Sequence, residues 1–125
     1  KSMYLENLGM GNFKAKPLPD FAQLGPISCV LVDDFDLDGN LDALLAGNDF
    51  YAESIFGRFD AITGIFLKGD GQGNFKALSS SESGFYLPHH ASSLIQSNNT
   101  GQHGKKLILA AQGNNSLKAF SIHKP

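Results

Sequence analysis

Short apolar runs, broken by glycine, asparagine and serine, recur along this chain at strand length rather than helix length. Ile27-Ser28-Cys29-Val30-Leu31-Val32 is rich in β-branched and apolar residues and predicts a buried strand. Residues 41–46 form a second apolar run, too short for a helix and ended by the turn signal Gly47-Asn48. Residues 91–96, 107–111 and 117–122 predict further strands. No apolar stretch is long enough to span a membrane.

The runs repeat. Tyr4-Leu5-Glu6-Asn7-Leu8-Gly9-Met10-Gly11-Asn12-Phe13-Lys14-Ala15 matches Phe66-Leu67-Lys68-Gly69-Asp70-Gly71-Gln72-Gly73-Asn74-Phe75-Lys76-Ala77 at an offset of 66 − 4 = 62 residues. Each copy predicts a hairpin, with paired glycines supplying the positive φ that its turn needs. The pair of strands at 27–32 and 41–46 has a fainter echo at 91–96 and 107–111. The order is then two strands, four strands and three strands. A unit of about 60 residues and four strands has the length and content of a propeller blade. The expected fold is all-β, with four-stranded antiparallel blades and about two blades of an incomplete propeller. Residues 1–20 form the last hairpin of a preceding blade, 21–80 a complete blade with an insertion at 49–62, and 81–125 a partial blade. The aromatics of that insertion, Phe50, Tyr51, Phe56 and Phe59, either pack a long loop onto the blade or form a binding edge.

The connection between the strands at 27–32 and 41–46 carries candidate chemistry. Asp34-Phe35-Asp36-Leu37-Asp38-Gly39-Asn40-Leu41-Asp42 places carboxylates at every second position, with a gap at the glycine. Ca²⁺ takes six to eight oxygen ligands from carboxylates, backbone carbonyls and water. Asp34, Asp36, Asp38 and Asp42 can supply side-chain oxygens, and Asn40 its backbone carbonyl. Gly39 permits the sharp turn. An EF-hand would end in a bidentate Glu at its twelfth position, but that residue is Leu45, and strands rather than helices flank the loop. The bland alternative is an acidic hairpin turn without metal. Asp33, next to the first ligand, is either a supporting acid behind the site or a surface residue. The echo at 97–106 contains no Asp or Glu, so that unit is expected to be metal-free.

Composition narrows the partners. The 125 residues suffice for at most one ordinary domain, and 42% hydrophobic content supports a core. A net charge of −2 with no basic run argues against nucleic acid. The single cysteine, Cys29, excludes an intrachain disulfide and sits in an apolar strand as a small hydrophobe.

The Asp-x-Asp-x-Asp-Gly-x-x-Asp loop between strands, followed by a Gly-x-Gly-x-Phe hairpin, resembles the FG-GAP/VCBS repeats of integrin-type β-propellers. Gly47-Asn48-Asp49-Phe50-Tyr51, Arg58-Phe59-Asp60-Ala61 and the run from Ile65 to Phe75 resemble bacterial members that carry an ASPIC/UnbV segment. The resemblance covers nearly the whole chain. It implies a structural calcium at Asp34, Asp36, Asp38, Asn40 and Asp42, and an extracellular or cell-surface setting in a secreted bacterial protein. It implies recognition of a protein or glycan, or adhesion, without catalysis. An enzyme-associated propeller with its active site in other blades is the alternative, as is a purely structural role. A propeller closes with four to eight blades, so the chain is expected to be a C-terminal piece of a longer protein. Its open face would then be covered by the remaining blades or by a second copy.

Other motifs carry less. His89 and His90 are adjacent, so on a strand they face opposite ways and do not share an ion. Asn98-Asn99-Thr100 and Asn114-Asn115-Ser116 match the glycosylation pattern but read as polar turns. Gly9-x-Gly11 and Gly71-x-Gly73 open no helix, and Ser79-Ser80-Ser81 has no nucleophile elbow. No nucleophile–base pair is evident, so a non-enzymatic module is expected.

Overall fold

The computed structural model describes residues 1–48, 62–97 and 106–122. Most of the insertion expected at 49–62 therefore lies outside the described residues, as does the polar connection at 98–105. Among the described residues, nine strands form three antiparallel sheets. The first pairs β1 (Met3–Gly9) with β2 (Asn12–Pro17). The second has the order β3 (Ile27–Asp33), β4 (Asp42–Gly47), β5 (Ile65–Gly69) and β6 (Phe75–Leu78). The third pairs β7 (Ser93–Ser97), β8 (Leu107–Ala111) and β9 (Lys118–Ser121). The all-β, antiparallel expectation holds, with two, four and three strands in chain order.

Strand alternation explains how the sheets stack. Successive side chains point to opposite faces. Leu44, Ala46 and Phe66 therefore join Leu94, Ile108 and Ala110 of the third sheet in one core. Ala43, Leu45, Ile65 and Leu67 join Ala22 and Ile62 in another, on the opposite face. Both faces of β4 are covered, so all six of its residues are buried. Cys29 lies half-buried between the second and third sheets, where burial pushes its thiol pKa up.

The strand expected at 27–32 forms, but it is half-buried rather than buried. Cys29 and Leu31 pack inward, whereas Val30 and Val32 are 53% and 54% exposed. The reason is where the first sheet makes its contacts. It meets the second sheet at the β6 edge: Tyr4 stacks edge-on against Phe75 at 5.5 Å, and Lys16 Nζ donates to the Gln72 carbonyl in the β5–β6 turn. On β3, at the other edge of the second sheet, Val30 and Val32 stay exposed.

Two short helical pieces went unanticipated in the sequence. A 3-10 turn at Asp20–Gln23 links the first two sheets. Helix α1 (Ser80–Ser83) follows β6, and the serine run starts it: Ser79 caps Glu82 N–H while the Glu82 carboxylate accepts from Ser79 N–H. This reciprocal cap satisfies two amides that a helix start leaves free.

Candidate metal centre in the β3–β4 loop

The loop is built around one apolar anchor. Phe35 points into the core, 5% exposed, and meets Phe66 in an edge-on contact at 6.1 Å. On either side of that anchor, Asp34 and Asp36 turn their carboxylates to the amides of the loop. The loop then folds on its own carboxylates. Asp34 accepts from the Asp38 and Gly39 amides at 3.1 and 2.9 Å. Asp36 accepts from the Asp38 amide at 3.2 Å, and Asp38 from the Asn40 amide at 2.9 Å. Gly39 takes φ 91°, a region closed to most side chains.

Asp42 closes the loop. It is fully buried, and its carboxylate accepts from Phe35 N–H at 3.1 Å and from Gly69 N–H at 2.9 Å. One side chain thus ties the start of the loop to β5. Burial, the larger influence, raises its pKa above the usual aspartate range despite these two bonds. Gly69 must be glycine here, because a Cβ would sit 2.0 Å from the Leu41 carbonyl oxygen.

Asp34, Asp36 and Asp42 each bring a carboxylate oxygen within 4.8 Å of the others. Three of the four sequence-predicted carboxylates therefore converge. Asp38 instead turns to Lys68, at 2.7 Å, and that bond holds its carboxyl below the usual range. Lys68 Nζ also donates to Asp36. Asn40 lies at the end of the loop, with its side-chain oxygen against Gly71 of the β5–β6 turn. The donor set is all hard oxygen, and an ammonium group stands among these carboxylates as a cation. The oxygen donors suit a hard divalent ion, and the Lys68 ammonium meets part of the same demand for positive charge.

Sequence reasoning missed Lys68, because nothing in the spacing of the loop points to a residue on β5. It left Asp33 open, and the structure gives that residue two roles. One oxygen accepts from Asp34 N–H at 2.9 Å; the other accepts from Gln96 Nε2 at 2.6 Å and Lys106 Nζ at 2.7 Å. Asp33 thus braces the first residue of the loop and clips the second sheet to the third. The Lys106 bond, then the Gln96 bond, lowers its pKa. Among the described residues, no helix is long and apolar enough to cross a membrane. Comparison with family models, with curated proteins and with solved structures gave no match.

Proposed function

We propose that the chain is a calcium-stabilised propeller repeat module that works outside the cell, in protein or glycan recognition, without catalysis. The observation that carries the metal reading is the convergence of Asp34, Asp36 and Asp42 in a loop whose shape their own backbone bonds set. Asp38 and Asn40 complete the ligand set by spacing. Calcium would neutralise mutual repulsion among the acids and so lock β3 to β4. The propeller reading is supported by sheets of two, four and three strands that stack through both faces of the middle one. On that reading the first sheet is the outer half of a blade, the second a whole blade and the third the inner part of the next. The extracellular setting rests on the FG-GAP/VCBS resemblance and suits a weak site in a calcium-rich medium.

Isothermal titration with CaCl₂ tests the metal reading. One site per chain is expected, and Asp36→Ala with Asp38→Ala should abolish it. Heat identical in the wild type and the double variant would remove the site.

A further inference from the structure

The acidic loop carries its own cation. Lys68 projects from β5, and its ammonium group donates to both Asp36 and Asp38. One positive charge thus bridges a proposed metal ligand that faces the site and another that turns away from it.

The hairpin itself has no need of a lysine at this position. By the 62-residue offset Lys68 corresponds to Glu6 of the first hairpin, since 68 − 62 = 6. Glu6 carries the opposite charge and pairs with Lys16 at 3.3 Å. The strand therefore accepts either sign, and the sign at position 68 matches the acids beside it. The Lys68 side chain is 37% exposed, so its ammonium can swing into water without opening a core or moving β5.

We propose that Lys68 is a displaceable counter-cation: it holds the loop in its folded shape when metal is absent and is released when a divalent cation enters. This rests on the calcium reading above. Binding then exchanges one cation for another. The loop is preformed, and the affinity for metal is lower than the carboxylates alone would give. Asp38, freed from Lys68, becomes available to the ion.

Titration of CaCl₂ into the wild type, Lys68→Met and Lys68→Arg, with melting curves in EDTA and in saturating calcium, tests this. Partly exposed ion pairs are weak, so Lys68→Met should bind calcium roughly three- to tenfold more tightly. It should melt below the wild type in EDTA and lose that deficit in calcium. Lys68→Arg should stay near wild-type affinity. A merely structural lysine would instead lower the melting point equally in both media. Equal or weaker binding by Lys68→Met overturns the inference and leaves the calcium reading standing. Absence of binding in all three proteins overturns the calcium reading and the inference with it. Should Lys68→Met fail to fold, the Lys68 ammonium resonance of the wild type decides: it should shift on adding calcium, and an unchanged signal overturns the proposal.

Discussion

Replacing Asp42 by alanine should separate the loop from β5 and cost the fold several kcal/mol even with no metal present. The carboxylate is fully buried and is the acceptor for two amides, Phe35 N–H and Gly69 N–H. Alanine leaves both without that partner in a place water does not reach. Each buried, unsatisfied donor costs about 1–3 kcal/mol. The gross loss is therefore about 2–6 kcal/mol. Burial of the carboxylate itself works the other way, as its raised pKa indicates, which places the expected loss in the lower half of that range. Asp42→Asn keeps one carbonyl acceptor and should lose less than alanine does. Urea unfolding followed by circular dichroism, in EDTA, measures the order: wild type above Asn above Ala. Amide exchange localises it, because the Phe35 and Gly69 protons should accelerate in Asp42→Ala more than those of the β4 core. A variant within about 0.5 kcal/mol of wild type, with both amides still protected, would refute the role given to this carboxylate.

Two further outcomes follow from the same geometry. Phe35→Ala removes the aromatic anchor against Phe66; a loss of about 3–5 kcal/mol in urea unfolding is expected, with weaker calcium binding because the loop loses its inward tether. Asp33→Asn breaks the charged clip to Lys106 and Gln96. Because its folded-state pKa is lowered, the contribution is present above the ordinary aspartate range and fades as pH falls through the lower folded value. The variant should be less stable by about 1 kcal/mol at pH 7, and a pH series of melting curves should show it converging on wild type in acid.

Much of the fold was legible because alternation and turn chemistry are local. The hairpins are marked by Gly-x-Gly-Asn-Phe, and the middle sheet by two apolar runs and a loop of carboxylates. What escaped depends on neighbours distant in the chain. Val30 and Val32 read as buried by composition, yet their exposure is decided by where another sheet makes its contacts, at the opposite edge. Helix α1 is a four-residue turn whose only signature is a Ser–Glu cap. In the candidate site, the spacing of the acids pointed to Asp34, Asp36, Asp38 and Asp42 with Asn40, and of these the structure brings Asp34, Asp36 and Asp42 together. The spacing did not show Asp38 drawn toward Lys68, because a strand 30 residues further on supplies that charge. Nor did it distinguish the bridging of backbone amides by Asp42 from simple ligation, since one partner, Gly69, is 27 residues away.

The central claim is that a divalent ion in the β3–β4 loop stabilises this fold. Differential scanning calorimetry of the wild-type chain in 5 mM EDTA and then in about 5 mM CaCl₂, in the range of extracellular sites, tests it most directly. A higher melting temperature is expected in calcium, reversed by chelator and absent from the Asp36→Ala, Asp38→Ala double variant. A melting temperature indifferent to calcium would contradict it.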